Sequence, residues 1–76
     1  MVTAYIMVKT HTGEADRIKR SIGDIEGVVD VHIVAGDVDL IAKVEVDSPS
    51  AVKSIAADGI HAVEGVDTTQ TYVSMD

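Results

Sequence analysis

The chain repeats one phrase at a spacing of half its length. Ile-x-x-Ile-Glu-Gly-Val at residues 22–28 returns as Ile-x-x-Val-Glu-Gly-Val at residues 60–66 of the 76. A repeat of about 38 residues is long enough for one strand–helix–strand unit. The chain is therefore predicted to contain two such units, and the glycine of each phrase is expected to end a helical segment.

Each half also carries a run of apolar residues at helical spacing. In the first half these residues are Ala15, Ile18, Ile22 and Ile25. In the second half they are Val52, Ile55, Ala56, Gly59, Ile60 and Val63. Thr12 or Gly13 is expected to cap the first helix. Asp47 or Ser48 is expected to cap the second, with Pro49 at the first helical position, where a missing N–H costs nothing.

Residues 28–46 consist of two runs rich in β-branched residues on either side of Gly36-Asp37. A two-residue connection that begins with Gly is typical of a tight type II′ hairpin turn, because Gly reaches positive φ without a Cβ clash. We therefore predict a hairpin with one wholly apolar face. The apolar positions are Val29, Val31, Ile33 and Ala35 on the first arm and Val38, Leu40, Ala42, Val44 and Val46 on the second.

Strand periodicity extends to both ends of the chain, at residues 1–8 and 66–75. Two strand–helix–strand units joined by the hairpin give the order β-α-β-β-α-β, which is the ferredoxin-like arrangement. Right-handed crossovers place both helices on the same side of the sheet. The predicted fold class is α+β, a four-stranded antiparallel sheet with two helices covering its apolar face.

The sheet face without helices is predicted to be partly apolar. It combines the only two aromatic residues of the chain with Met, Ile and Val side chains, a composition typical of an interface. A chain of 76 residues without Cys has no disulfides to reinforce a small core, so self-association is the remaining means of stabilisation. We expect a homodimer whose sheets face each other. Its expected interface residues are Tyr5, Met7, His32, Val34, Ile41, Gln70 and Tyr72.

Composition excludes several classes of function. Six basic and 13 acidic residues give a net charge of −7, which opposes direct binding to nucleic acid and to anionic membranes. The apolar start of the chain is far shorter than the roughly 20 residues of a membrane span and lacks the basic region of a signal peptide. A cytoplasmic protein is expected.

No residue pattern indicates catalysis, a metal or a cofactor. His11, His32 and His61 fall in a loop, on a strand and near a helix end, without the i, i+4 pairing of a metal site. No Gly-rich phosphate loop follows a strand, and no Ser or Thr stands with a His in a recognisable nucleophile motif. We expect neither an enzyme nor a bound cofactor.

Three segments occur in the order and spacing of a known family. They are the phrase at residues 22–28, then Gly36-Asp37-Val38-Asp39-Leu40, and then Gly65-Val66-x-Thr68-Thr69-x-Thr71. Over essentially its whole length the chain resembles the C-terminal effector-binding and oligomerisation domain of the Lrp/AsnC (feast/famine) transcription regulators, the RAM domain, whose Gly-x-x-Asp-Leu pattern the second segment matches. Val38 stands where that family usually has an aromatic residue. The family's N-terminal helix-turn-helix has no counterpart here, so residues 1–76 are expected to be a stand-alone domain of this kind.

The resemblance implies a function in transcription regulation without direct DNA contact. It implies dimers formed through the sheets, rings of such dimers, and small effectors, usually amino acids, bound between dimers. The carboxylates can accept from an effector's ammonium group, while backbone N–H groups near Gly36 and the threonine hydroxyls can donate to its carboxylate. The candidate ligand-binding residues are Gly36, Asp37, Asp39, Thr68, Thr69 and Thr71.

Plainer interpretations of these residues remain open. Asp37 is a common turn residue, Gly36 suits a turn, and threonine is an ordinary strand former. Two other functions are compatible with the sequence. One is a ligand-free scaffold that joins assemblies of full-length Lrp/AsnC-type regulators, and the other is an ACT-type allosteric module.

Overall fold

The described part of the chain forms four strands and two helices in the predicted order. The computed structural model describes residues 1–11 and 13–76. The elements are β1 (Val2–Thr10), α1 (Ala15–Gly23), β2 (Val28–Ile33), β3 (Leu40–Val46), α2 (Pro49–Ser54), which continues as a π-helical segment (Ile55–Ile60), and β4 (Val66–Val73).

The strands form one antiparallel sheet in the order β2-β3-β1-β4, which confirms the ferredoxin-like fold. β1 and β3 occupy its centre, and both helices pack on the same face. Because no Phe or Trp is present, aliphatic side chains make up the core. The core residues are Ala4, Ile6, Val8, Ile18, Ile22, Val31, Leu40, Ala42, Val44, Val52, Ile55, Ile60 and Val66.

The repeated phrase folds into the same turn in both halves. In the first copy the Val28 N–H donates to the Ile25 carbonyl, and in the second the Val66 N–H donates to the Val63 carbonyl. The glycine between them has a φ of +99° at Gly27 and +100° at Gly65. The internal duplication is therefore structural, and each copy leads directly into an edge strand of the sheet.

A β-bulge follows each of these turns. In β2 it changes which residues face the core, so the predicted alternation there is wrong at its start. Val28 pairs with Val44 of β3 and Asp30 pairs with the adjacent residue Lys43, so Val29 between them has no partner on β3. Val28 therefore faces the core, and Val29, which was expected there, is 53% exposed. In β4 the equivalent residue, Asp67, is passed over between Val66 and Thr68 in the same way.

The outer end of the first hairpin arm is also less buried than expected. Ile33, on the edge strand β2, is 44% exposed. Ala35 lies beyond the end of β2 and is exposed. The predicted apolar face is accordingly complete on β3 and only partial on β2.

The hairpin between β2 and β3 exists, but the predicted two-residue type II′ turn is wrong. Ile33 is the last residue of β2 and pairs with Leu40, leaving residues 34–39 as the connection. The Val34 N–H donates to the Asp39 carbonyl at 2.9 Å, and Gly36 does not have a positive φ. The Asp39 N–H donates to the Val8 carbonyl of β1 at 2.9 Å, so this end of the hairpin is held by β1.

One predicted N-cap is correct and one is wrong. The Ser48 hydroxyl accepts from the Ala51 N–H at 3.3 Å, with Pro49 at the first position of α2. At α1 the N-cap position belongs to Glu14 instead of Gly13, and the Ile18 N–H donates to the Glu14 carbonyl at 3.1 Å. The alternative cap, Thr12, lies outside the described residues.

The second helix changes its winding halfway along. From Ile55 onwards it is π-helical, and the His61 N–H donates to the Ala56 carbonyl, five residues back. This wider winding brings residues five apart onto one face, so that Ile55 and Ile60 are both buried. Gly59 lies close to Ile25, whose Cδ1 would be 3.3 Å from an added Cβ.

Candidate functional site

The Asp39 carboxylate holds the end of β1. Its Oδ2 accepts from the Thr10 N–H at 2.8 Å and from the Thr10 hydroxyl at 3.2 Å. Lys9 donates to the Asp37 carbonyl at 3.2 Å, which fastens the hairpin connection to the same strand. The Asp39 carboxylate is half-buried, and its bond to a backbone N–H holds a negative charge in a fixed position at one end of the sheet.

Of the three candidate threonines, one lies near this end on the open face. Thr68 is opposite Lys9 in the β1–β4 pairing, on the sheet face without helices. Thr69 is opposite Val8 and Thr71 opposite Ile6, both core residues, so these two threonines face the helix side. Within one chain the structure brings Thr68 to the sheet end that carries the hairpin connection, and it does not bring Thr69 or Thr71 there.

The open face has two rows of side chains that follow the cross-strand pairing. One row runs across all four strands as Asp30, Lys43, Tyr5 and Tyr72. The next runs as His32, Ile41, Met7 and Gln70. Six of the seven predicted interface residues therefore lie side by side, while Val34 lies just beyond the end of β2.

Aromatic and charged side chains are mixed on this face: Tyr5 and Lys43 lie on the two central strands, and Tyr72 and Asp30 lie on the two edge strands. Tyr5 is 39% exposed and Tyr72 is 51% exposed. Lys43 lies 3.6 Å from Glu45, and His32 lies 3.2 Å from Asp30. Tyr and Met side chains are enriched in protein interfaces, and both tyrosines of the chain lie on this face.

No metal-binding cluster occurs among the described residues, since no three His, Asp or Glu side chains come together there. His11 lies 3.6 Å from Asp67, which makes a pair and not a ligand set. Within residues 1–11 and 13–76, no helix is long and apolar enough to cross a membrane.

The structure contains an apolar groove that the sequence did not predict. It lies between the second helix and the helix-facing side of β4 and has a volume of about 490 Å³. Its lining consists of Pro49, Val52, Lys53, Ala56, Ala57, His61, Thr69, Thr71 and Val73. The available signal was the presence of threonine at two inward positions of β4, Thr69 and Thr71, which fill less space than large apolar residues would.

Comparison with known proteins gives a consistent set of matches. A family model described as the Lrp/AsnC ligand binding domain matches residues 3–76. An uncharacterised helix-turn-helix-type transcriptional regulator of Pyrococcus abyssi is 36% identical over 77 residues, covering 97% of this chain and 51% of the relative. The chain spans about half the length of the curated relatives it matches.

Solved structures match the fold closely. The crystal structure of TTHA0845 from Thermus thermophilus superimposes with a TM-score of 0.94 at 25% identity, covering 100% of this chain and 95% of that one. The transcriptional regulator NMB0573 of Neisseria meningitidis, solved as a complex with L-Met, superimposes with a TM-score of 0.86. At 17% identity, with 99% of this chain and 50% of that one covered, the second match shows a shared fold.

Proposed function

Because the chain belongs to the Lrp/AsnC ligand-binding domain family, we propose that it binds a free amino acid and self-associates through its open sheet face. The relatives of this domain are transcriptional regulators and not enzymes. In this proposal the domain is a cytoplasmic effector-binding module that modulates transcription regulation. A net charge of −7 argues against direct contact with nucleic acid.

The proposed amino-acid binding rests on one observation. Hydrogen bonds fix the Asp39 carboxylate at the same end of the sheet as Thr68. An α-amino acid presents an ammonium group, which carboxylates bind, and a carboxylate, which hydroxyl and backbone N–H groups bind. We assign the ammonium to Asp37 and Asp39, and the carboxylate to Thr68 and the backbone near Gly36. The complex of the Neisseria regulator with L-Met supports this class of ligand.

In the same proposal, Thr69 and Thr71 contact the effector only in an assembly of several chains. They face the opposite side of β4 from Thr68, so one chain does not direct all three hydroxyls at one ligand. We propose that a neighbouring chain in a ring of dimers supplies them to the effector cleft.

A thermal-shift screen of the purified protein against the twenty amino acids tests the effector part. A ligand at about 100 times its Kd stabilises the folded state by roughly 2.7 kcal/mol, and about 1 kcal/mol moves the midpoint of a domain this size by roughly 4–8 °C. We expect upward shifts of about 10–20 °C for a few amino acids. The Asp39→Asn variant, measured from its own unliganded midpoint, is expected to lose most of the shift.

Asp24→Asn serves as the matched control for charge, because Asp24 is exposed at the end of α1 and lies outside the proposed site. It is expected to keep more of the shift than Asp39→Asn. If Asp39→Asn stays oligomeric and binds amino acids as tightly as the unaltered chain, Asp39 has no part in the site.

Self-association through the open face is supported by the adjacency of the two tyrosines, which are opposite each other in the β1–β4 pairing. Tyr72→Lys should place a charge in that interface and shift the dimer to a monomer, because a buried unpaired ammonium is costly. Sedimentation equilibrium measures the mass. Ala62→Lys adds the same charge at an exposed position after the second helix and should leave the dimer intact. A mass of one chain for the unaltered protein would disprove the dimer.

A ligand-free scaffold is the second candidate function. Two observations favour it: Val38 replaces the aromatic residue usual in this segment, and the Asp39 Oδ2 already accepts two bonds from Thr10. A scaffold would join assemblies of full-length Lrp/AsnC-type regulators and would show no amino-acid shift. Because the chain matches the Lrp/AsnC family model, we do not propose that it is an ACT-type module.

A further inference from the structure

We propose that a cavity beside Gly27 binds a small guanidinium compound, in the place that the side chain of Arg17 fills in the other half of the chain. The cavity lies between the Gly27 turn, the end of β3 and the start of α2, and has a volume of about 590 Å³. It is at the opposite end of β3 from Asp39. It is therefore separate from the amino-acid site proposed above.

The internal duplication allows the surroundings of the two turn glycines to be compared. A Cβ added at Gly65 would lie 3.0 Å from the Ile18 Cδ1, and a Cβ added at Gly27 would lie 2.6 Å from the Ile55 Cδ1. Each isoleucine therefore packs against the turn of its own half in the same way. The π-helical winding adds one residue to the second helix after Ile55, so this equivalence is offset by one residue from the repeated phrase.

The residue before each isoleucine differs between the halves. In the first half it is Arg17, whose Nη2 donates to the Glu64 carbonyl at 2.9 Å and whose Nε donates to a Glu14 carboxylate oxygen at 2.7 Å. A guanidinium group can bond a carbonyl and a carboxylate together because its donors form a planar fork. In the second half the residue is Ser54, whose hydroxyl has no hydrogen-bond partner within residues 1–11 and 13–76. The space that a guanidinium group fills beside one turn is therefore open beside the other.

The charge of the cavity favours a cation. Glu26, Glu45 and Asp47 line it, and among the described residues no Lys, Arg or His side chain does so. Glu45 lies 3.6 Å from Lys43, whereas Glu26 and Asp47 form no ion pair within the described part of the chain. The Glu26 carbonyl is the equivalent of the carbonyl that is bonded in the first half. A guanidinium group can donate to this carbonyl and to the free carboxylates.

The rest of the lining fits an aliphatic chain. Ile55 is only 8% exposed, and Val46 and Ala51 line the cavity beside it. A volume of about 590 Å³ falls within the roughly 300–1,000 Å³ of small-molecule sites, which are mostly apolar with a few polar groups. The ligand class is therefore a guanidinium group on a short aliphatic chain.

An NMR titration of the amide signals with two probes of the same shape tests this proposal. Butylguanidine carries the charge, and N-butylurea has a neutral carbonyl oxygen in place of one charged nitrogen. For a ligand this small in an open cavity we expect a Kd of about 1 mM for butylguanidine. The signals that move should be those around Gly27 and Ser54, while those of the hairpin connection at Gly36 should not move. N-Butylurea should bind about threefold to fivefold more weakly, the size of one exposed ion pair.

Two pairs of variants locate the binding. Ser54→Arg places a guanidinium group of the chain itself at the position equivalent to Arg17, and it should abolish the binding of butylguanidine. Ala62→Arg adds the same group at an exposed position outside the cavity and should leave the affinity unchanged. Asp47→Asn should weaken binding about threefold. Asp58→Asn, which changes an exposed acid of the second helix outside the cavity, should not weaken it.

Several results would overturn the proposal. They are no movement of the amide signals with butylguanidine at about ten times the expected Kd of about 1 mM, equal affinity for butylguanidine and N-butylurea, or unchanged affinity in Ser54→Arg. Nα-acetyl-L-arginine amide imitates an arginine within a protein. If it binds more tightly than butylguanidine, the cavity receives the side chain of another protein, and the assignment of a small molecule is wrong.

Discussion

Replacing Ile6 by Ala is expected to destabilise the folded domain by about 3–4 kcal/mol, within the range measured for large-to-small changes in protein cores. Ile6 lies at the middle of β1, a central strand, and is 0% exposed beneath both helices. The loss combines the hydrophobic transfer of the deleted atoms with a cavity that a sheet centre closes poorly. A domain of 76 residues has a total stability of roughly 4–11 kcal/mol, so this single change removes a large fraction of it.

Urea unfolding followed by circular dichroism measures this loss, at one fixed protein concentration because the proposed self-association would contribute to the midpoint. Ile6→Val should cost about 0.5–1.5 kcal/mol. Ile33→Ala is the control, since Ile33 is 44% exposed on the edge strand, and it should cost less than about 1 kcal/mol. Equal losses at Ile6 and Ile33 would mean that the core is not organised around β1.

Replacing Gly27 by Ala is expected to cost about 2–3 kcal/mol for two separate reasons. At a φ of +99°, any residue with a Cβ is strained by about 1–2 kcal/mol. The added Cβ would also lie 2.6 Å from the Ile55 Cδ1 and 3.0 Å from the Val46 Cγ1. The end of the Ile55 side chain can move, which keeps the steric part near 1 kcal/mol.

Gly23→Ala provides a sharp contrast in the same unfolding experiment. Gly23 ends α1, has no positive φ, and an added Cβ would meet nothing within 4 Å. Alanine there should stabilise the protein by up to about 1 kcal/mol, because it restricts the unfolded chain and favours helix. If Gly27→Ala were as stable as Gly23→Ala, the turn would not require a left-handed residue. The equivalent glycine of the second half, Gly65, should behave as Gly27 does.

The fold could be predicted because its causes are repeated and local. The duplicated phrase indicated two units, and the spacing of apolar residues indicated which face of each helix is buried. The Ser48 cap followed from side-chain chemistry within a few residues of the helix start. Element order, sheet pairing and helix side all follow from such local signals together with the handedness of crossovers.

The errors arose where residues distant in sequence decide the local geometry. Gly36-Asp37 has the composition of a tight turn, but the backbone of Val8 and the N–H of Thr10 hold Asp39 and lengthen the connection. Periodicity alone cannot detect an inserted residue in a strand, so Val29 was assigned to the wrong face. The π-helical winding from Ile55 likewise depends on packing against the sheet and against Ile25.

The candidate site was predictable only in part, because its geometry also depends on residues distant in sequence. Sequence order indicated Asp39 and Thr68, and the sheet brings both to one end. Strand alternation alone places Thr69 and Thr71 on the face opposite Thr68, and the cross-strand pairing agrees. The groove beside them depends on the distance between a helix and an edge strand, which no local pattern contains.

The paired bulges at Val29 and Asp67 bear on how the protein avoids forming fibres. Both free edges of the sheet, β2 and β4, begin with an irregular and more strongly twisted stretch directly after a glycine turn. An edge of this shape is a poor template for the strand of another molecule, and bulged edges are one way in which native sheets resist endless lateral growth. One duplicated phrase thus gives both free edges of the sheet the same protection.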